Sequence, residues 1–287
     1  MGDCGIDTVP RGTQQPADPV SPPASQEVTV LVTGYGPFKD NLVNASFLIA
    51  SSLPSSLTFP TPLAGERASQ ENSHIPPPRE VLIHAHPSPI PVSYAGVQSE
   101  LPSILEDYAS KHGGKRPDLT IHLGIASKRS YYSVETLAHR DGYRIPDIDG
   151  LFGYETGERI WKREGLPLTL EPGPAWSVSG GETETTPSPT FEISPYPPDS
   201  HFLKMWESFT ASKDADLRIS NYAGRYLCEF IFYASLALAV QDEKPLSVIF
   251  FHVPQRLDDE SLEVGREIAV ALIKTMVRCW IDEKQTR

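Results

Sequence analysis

Short apolar runs alternate along the chain with longer segments whose apolar residues recur every three or four positions. The short runs are rich in β-branched residues, which is typical of strands buried in the middle of a sheet. Most of the longer segments have the spacing of helices that bury one face, whereas 225–240 is apolar on nearly all sides, as in a helix packed from several directions. The pattern predicts strands at 27–33, 80–86, 118–124, 131–138 and 247–253, and helices at 44–53, 96–112, 225–240 and 258–281.

The order of these elements, β-α-β-α-β and then β-α-β-α, indicates an α/β protein. It predicts a three-layer α/β/α sandwich with a mostly parallel, mixed central sheet. The first strand leads into Gly34-Tyr35-Gly36-Pro37-Phe38, and in such folds ligands bind beyond the carboxyl ends of the strands. The loop lacks the GxGxxG spacing, so it does not favour a dinucleotide site.

Three proline-rich segments interrupt the pattern. Residues 1–26 have few apolar side chains to bury, and we expect a disordered leader there. Residues 54–78 and 150–216 show no clear period, and such long loops inside a compact domain are typical of insertions. We therefore expect a single α/β domain over residues 27–287 with these two insertions. Three tryptophans of the second insertion are expected to tether it to the domain: Trp161, Trp176 and Trp206.

Charge and composition argue against several classes of function. The chain of 287 residues has 25 Lys+Arg and 37 Asp+Glu, a formal net charge of −12. Its basic residues do not cluster, so neither nucleic acid nor an anionic membrane is an expected partner. No segment has the ~18 apolar residues of a membrane span, and the first residues lack the pattern of a signal peptide. We expect a cytoplasmic protein.

The cysteines and one histidine supply the candidate chemistry. Cys4, Cys228 and Cys279 are widely spaced and match neither a disulfide framework nor a structural zinc site. No metal or other cofactor is therefore expected. Cys228 lies near the start of a predicted helix, and His252 ends the next strand, so a thiol and an imidazole on neighbouring elements indicate a thiol hydrolase.

Glu135 lies on the alternating segment 131–138 and has the chemistry to orient an imidazole. The residues alone leave an alternative for each member of this set. Cys228 would then be a packing residue, His252 a core histidine and Glu135 a solvated strand residue.

Four motifs occur together in the chain: Val32-Thr-Gly-Tyr-Gly-Pro-Phe38 with Asn44; Glu135 followed by Gly142-Tyr-Arg144 and Asp147; Ala223-Gly-Arg-Tyr-Leu-Cys228-Glu with Phe232-Tyr233; and Phe251-His252-Val-Pro254. In this order they resemble the pyroglutamyl peptidase type I family, also called pyrrolidone-carboxylate peptidases. These are cysteine peptidases that remove N-terminal pyroglutamate. The resemblance implies a phosphorylase/hydrolase-like fold. Proline-rich insertions would block the contacts by which compact bacterial members assemble, so we expect a monomer.

The resemblance also implies roles for four residues. Cys228 would attack the pyroglutamyl carbonyl and form a thioester, while His252 would accept and later return a proton. Glu135 would orient the imidazole. Arg144 is the candidate for oxyanion stabilisation, and a surface ion pair is its alternative role.

The substrate implied by the resemblance is a peptide whose first residue carries a flat, neutral pyrrolidone ring. Tyr35 and Phe38 are the expected walls for this ring, and Asn44 and Tyr226 complete the substrate-binding set. An alternative is a catalytically silent homologue that binds peptides or a partner through the insertion at 150–216. The presence of all three polar residues of the Cys-His-Glu set argues against that alternative.

Overall fold

The computed structural model describes residues 27–38, 42–59, 79–173, 198–212 and 214–282. The predicted leader, most of the first predicted insertion and Trp176 lie outside the described residues. Within the described residues, no helix combines the length and the apolar character needed to cross a membrane.

Nine strands form in the described residues: β1 Val28–Gly34, β2 Ser56–Phe59, β3 Arg79–Ala85, β4 Leu119–Ile125, β5 Tyr132–Glu135, β6 Ala138–His139, β7 Thr169–Leu170, β8 Leu217–Ser220 and β9 Val248–Val253. Seven of them build one sheet in the order β2-β3-β1-β4-β9-β5-β8. Strands β3, β1, β4 and β9 are parallel, β2 is antiparallel to β3, and β5 and β8 run against β9. A separate antiparallel ribbon pairs β6 with β7.

Six α-helices accompany the strands: α1 Ala45–Ser51, α2 Tyr94–Lys111, α3 Arg159–Arg163, α4 Ser200–Phe209, α5 Leu227–Gln241 and α6 Asp259–Met276. Two π-helical turns are also present, at Tyr154–Glu158 and Val277–Asp282. Helices α1, α4 and α6 share a core with one face of the sheet, and α2 and α5 share a core with the other. The predicted α/β sandwich with a mixed central sheet is confirmed.

Strand alternation decides which side chains face α5. In β9, Phe251 packs in the core with α1, α4 and α6, whereas Phe250 packs in the core with α2 and α5. His252 therefore points to the α5 face. In β5, Val134 belongs to the α1, α4 and α6 core, so Glu135 also points to the α5 face. The two polar residues thus share one side of the sheet.

Gly34, at the end of β1, is needed for a close helix contact. A Cβ at this position would lie 2.6 Å from the backbone of Ser46 and Phe47 at the start of α1. Only a glycine lets α1 approach β1 this closely. Asn44 then caps α1 by accepting a hydrogen bond from the Ser46 amide, as expected for an Asn at this position.

Three element predictions are wrong. Segment 54–78, predicted to be a loop, contains strand β2 at Ser56–Phe59. Segment 131–138 is not one strand, because β5 ends at Glu135 and Ala138 starts the separate ribbon. Segment 150–216, predicted to lack regular structure, contains α3, β7 and α4 in its described parts. Elements as short as α3 and β7 carry no readable period, and α4 buries only Phe202 and Trp206. The boundaries of the insertions stay predictions.

The second predicted insertion has two buried tryptophans in its described parts. Trp161 is 4% exposed and Trp206 is fully buried. The Trp206 indole donates a hydrogen bond of 3.2 Å to the carbonyl of Ile268 in α6. Helix α4 is therefore fixed to α6 by one large apolar side chain and one backbone hydrogen bond.

Replacing Trp206 by alanine should lower the free energy of unfolding by about 3–5 kcal/mol, because a large buried side chain is lost and a cavity remains. Urea denaturation followed by circular dichroism measures this change. Leu168→Ala is the matched control in the same segment, since Leu168 is exposed, and it should change stability by less than about 0.5 kcal/mol. An equally small effect of Trp206→Ala would contradict the anchoring role.

Candidate active site

Cys228 is the second residue of α5 and is partly exposed. The helix begins two residues later than the sequence pattern predicts, so the thiol lies in the first turn. The chain reaches this turn through Gly224, whose φ of +90° is a conformation that other residues rarely adopt. The N-cap residue, Tyr226, forms no side-chain cap hydrogen bond. The positive end of the helix dipole at this terminus favours a thiolate.

The Cys228 thiol lies against the end of β4. A Cβ built on Gly124 would be 3.0 Å from the Cys228 sulfur and 2.6 Å from the Phe250 ring. Gly124 is also the direct strand partner of His252 across β4 and β9. The thiol is therefore close to the strand position that carries the imidazole, and the absence of a side chain at Gly124 makes room for it.

His252 and Glu135 form a buried pair. The distance between His252 Nδ1 and Glu135 Oε1 is 2.7 Å, and the two residues are 4% and 0% exposed. Burial opposes ionisation of Glu135, but the His252 hydrogen bond and the neighbouring Arg129 outweigh it, so the pKa of Glu135 lies below its usual value. An ionised carboxylate only accepts hydrogen bonds, so Nδ1 carries the proton and Nε2 keeps its lone pair.

The resting site pairs a neutral thiol with a neutral imidazole. Burial lowers the pKa of His252, although Glu135 acts in the opposite direction. Burial and the negative charge of Glu135 raise the pKa of Cys228 to about 12, while Arg129 acts to lower it. A thiol with this pKa could act as a nucleophile only with a base to take up its proton. His252 packs edge-to-face on Phe250, with ring centroids 4.7 Å apart, and this contact fixes the plane of the imidazole.

Arg129 is a site residue that the sequence analysis did not single out. It lies in the loop between β4 and β5, and its Nη1 donates to Glu135 Oε1 at 2.6 Å and to Ser133 Oγ at 2.7 Å. Its Nη2 donates to the carbonyl of Tyr222 at 2.9 Å. A loop residue has no periodic signal. The available signal was a basic residue six positions before the candidate Glu135, in a loop that follows a predicted strand.

Tyr35 and Asn44 use their polar groups inside the protein. The Tyr35 hydroxyl donates to the carbonyl of Leu227 at 2.6 Å, so it ties the loop after β1 to the start of α5. The Asn44 amide donates to the carbonyl of Gly36 at 2.9 Å, in addition to capping α1. Both side chains are buried and shape the loop that carries Phe38.

Phe38 and Tyr226 form a partly exposed aromatic pair. Their ring centroids are 5.7 Å apart, and Tyr226 also packs edge-to-face on Tyr94 at 5.9 Å. The Tyr226 hydroxyl donates to the carbonyl of Pro146 at 3.3 Å. The pair thus joins the loop after β1, the start of α5 and the segment around residue 146 into one rim.

Arg144 is exposed, and its guanidinium forms no hydrogen bond or ion pair with another described residue. The segment before it is fixed to α5 by a second buried carboxylate, Glu229. The distance between Glu229 Oε1 and His139 Nδ1 is 2.6 Å, and Arg225 donates to the carbonyl of Asp141 at 3.0 Å. Burial raises the pKa of Glu229 to about 8. The role of Arg144 at the oxyanion stays a prediction.

Among the described residues, no group of three or more His, Cys, Asp or Glu side chains is arranged to hold a metal ion. The arrangement of Cys228, His252 and Glu135 can instead perform nucleophilic chemistry. It combines a thiol, a neutral imidazole with a free Nε2 and a carboxylate that holds Nδ1.

Comparisons with known proteins agree with the motifs, although no family model matches the chain. The chain is 27% identical over 207 residues to pyroglutamyl-peptidase 1 of Homo sapiens and of Rattus norvegicus, covering 72% of this chain and 72% of each relative. It is 26% identical over 226 residues to the pyrrolidone-carboxylate peptidase of Pyrococcus furiosus, covering 78% of this chain and 80% of the relative.

Solved structures share the fold. The pyrrolidone carboxyl peptidase of Thermococcus litoralis superposes with a TM-score of 0.57 at 19% identity, over 91% of this chain and 96% of that chain. A mutant of the Pyrococcus furiosus enzyme gives a TM-score of 0.55 at 20% identity, over 88% of this chain and 99% of that chain. In its motifs, in its sequence and in its fold, the chain is thus similar to the pyroglutamyl and pyrrolidone-carboxylate peptidases.

Proposed function

We propose that the protein is a cysteine peptidase, specifically an omega-peptidase, that removes N-terminal pyroglutamate from peptides. The observation that carries the proposal is the 2.7 Å contact between His252 and Glu135 on the face of the sheet where Cys228 begins α5. The names of the relatives, pyroglutamyl-peptidase 1 and pyrrolidone-carboxylate peptidase, support the choice of substrate.

In acylation, the Cys228 sulfur attacks the carbonyl carbon that joins the pyroglutamyl residue to the next residue. His252 Nε2 takes the thiol proton, and a tetrahedral oxyanion forms. The imidazolium then donates this proton to the departing amine, the C–N bond breaks, and a thioester remains. Water attacks the thioester with His252 as base, which releases pyroglutamate and restores the thiol. Glu135 stabilises the imidazolium in both steps.

The oxyanion needs donors that are in place before the reaction. Arg144 is exposed and is therefore available to a bound substrate. The first N–H groups of α5 receive no hydrogen bond from the Tyr226 side chain, and N–H groups at a helix N-terminus suit a developing negative charge. We assign oxyanion stabilisation to these donors together.

The pyrrolidone ring is assigned to the rim at Phe38 and Tyr226. A flat, neutral ring binds well against aromatic faces, and these two side chains are partly exposed. Tyr35 and Asn44 complete the substrate-binding set by fixing the loop behind Phe38. The proposal includes a cytoplasmic protein without a metal or other cofactor, which the need for a reduced Cys228 thiol supports. It also includes a monomer, which the predicted proline-rich insertions support.

The first test is release of a fluorophore from a pyroglutamyl amide. The wild-type protein should release it, and Cys228→Ala should reduce the rate at least about 10³-fold, because the nucleophile is lost. Cys279→Ala is the matched control, since Cys279 is buried away from the candidate site. The proposal would be overturned if the wild-type protein released no fluorophore, or if thiol reagents did not inhibit the release.

Glu135→Gln should reduce kcat by about 10²–10⁴-fold with a smaller change in KM. The neutral amide no longer stabilises the imidazolium, and its N–H₂ group can donate to Nδ1 and favour the wrong tautomer. Steady-state kinetics and a melting curve check this. A large fall in melting temperature with an unchanged kcat in the folded fraction would show that Glu135 is structural.

Gly124→Ala should lower kcat/KM at least about tenfold, because the new methyl group crowds the thiol and the Phe250 ring. The variant and the wild type are compared with the same fluorogenic substrate. Ser127→Ala, an exposed position in the following loop, is the control and should behave like the wild type. Full activity in Gly124→Ala would show that the thiol does not depend on this space.

A further inference from the structure

The buried negative charge of Glu135 needs more stabilisation than a neutral His252 provides. The carboxylate is fully buried, and a buried charge is costly unless it is paired and hydrogen-bonded. Its Oε2 has no hydrogen-bond partner among the described residues. Its Oε1 faces His252 Nδ1 at 2.7 Å, Arg129 Nη1 at 2.6 Å and Ser133 Oγ at 3.3 Å. Among the described Lys and Arg side chains, Arg129 alone forms an ion pair with Glu135.

Arg129 is held in place from several directions. Its Nη1 gives one hydrogen bond to Glu135 and one to Ser133, and it also lies 3.5 Å from His252 Nδ1. Its Nη2 bonds the Tyr222 carbonyl, in the segment that leads to Cys228. The guanidinium lies 5.6 Å from the centre of the Tyr131 ring, and the side chain is 19% exposed. It therefore links the Glu135 side of the site to the segment that carries the thiol.

We infer that Arg129 is a positioning residue of the site: it keeps Glu135 an acceptor, so that His252 holds its proton on Nδ1 and presents Nε2 to the Cys228 thiol. This inference rests on the proposed peptidase function. Arg129 acts through Glu135 and His252 and needs no contact with the substrate.

The alternative protonation state shows why this matters. Without Arg129, the buried carboxyl would bind a proton more readily, and a protonated Glu135 can donate to Nδ1. The proton of the neutral imidazole would then lie on Nε2. In that tautomer His252 cannot accept the thiol proton, and an active site of this kind loses up to about 10⁴-fold in kcat.

Loss of the Arg129 charge should change the pKa values of the neighbouring groups in one direction. His252 from β9 and Ser220 from β8 face Glu135, while Cys228 and Glu229 face it from α5. The charge of Arg129 lowers the pKa of both His252 and Cys228, and its hydrogen bond lowers the pKa of Glu135. Removing the charge therefore raises all three pKa values, so activity that needs neutral His252 and ionised Glu135 is lost at a higher pH.

The experiment compares Arg129→Gln, which removes the charge, with Arg129→Lys, which keeps it. The acid limb of the kcat/KM profile on the pyroglutamyl amide should move up by about one pH unit in Arg129→Gln and stay near the wild-type position in Arg129→Lys. Arg218→Gln is the matched control, because Arg218 also lies over the Tyr131 ring, at 3.9 Å, but pairs with exposed Asp216. It should leave the profile unchanged.

A second readout does not require peptidase activity. Carbamidomethylation of Cys228 by iodoacetamide at pH 8, followed by mass spectrometry, should be up to about tenfold slower in Arg129→Gln, because the thiol is less acidic without the neighbouring charge. Arg129→Lys should alkylate at a rate near that of the wild type. If the wild type does not cleave the amide but the alkylation rates differ as expected, the proposed function fails while the positioning role stands.

Three results would overturn the inference: an acid limb of kcat/KM that does not move in Arg129→Gln, an alkylation rate equal to the wild type, or a Lys variant indistinguishable from the Gln variant. If Arg129→Gln does not fold, the double variant Arg129→Gln/Glu135→Gln decides, because it leaves no unpaired buried charge. Its kcat must then match that of Glu135→Gln alone, because Arg129 acts on the tautomer of His252 through Glu135, and a further loss of kcat would contradict the inference.

Discussion

The site depends on keeping one buried carboxylate ionised. Glu135 has no exposed surface, and its negative charge persists because His252 and Arg129 are both within hydrogen-bond distance. The partners come from β9 and from the loop between β4 and β5, which are distant in sequence. A buried charge leaves little tolerance for a missing partner. The polar site therefore depends on the assembled sheet, which brings these partners together.

The change of strand direction between β9 and β5 brings the carboxylate to the imidazole. Ser133 is the strand partner of His252, and Glu135 is the partner of Phe250. Since side chains alternate along a strand, all four lie on the face covered by α5. The parallel strands β4 and β9 then place Gly124 beside His252, where the thiol of α5 approaches. One local departure from a parallel sheet thus organises the whole site.

The long helices and the buried central strands could be predicted from the sequence. The short strands and the loop residues of the site could not, because they have no periodic pattern. Helices α2 and α6 have long apolar stripes, α5 is apolar on nearly all sides, and β1, β4 and β9 are buried along almost their whole length. Strand β8 has only four residues and takes its conformation from pairing with β5. Arg129 lies in a loop, and its importance comes from three spatial neighbours rather than from any pattern. Similarly, no local pattern predicts the hydrogen bond from the Tyr35 hydroxyl to the Leu227 carbonyl.

The anchoring of α4 on α6 fixes the start of the second half of the described chain. Residues 174–197 connect two fixed points: Gly173, whose amide bonds the Leu246 carbonyl, and α4 with its buried Trp206. A chain divided between these points would give one piece with Glu135 and Arg129 and a second with Cys228 and His252. The complete set therefore exists only where both halves of the chain are packed on the same sheet.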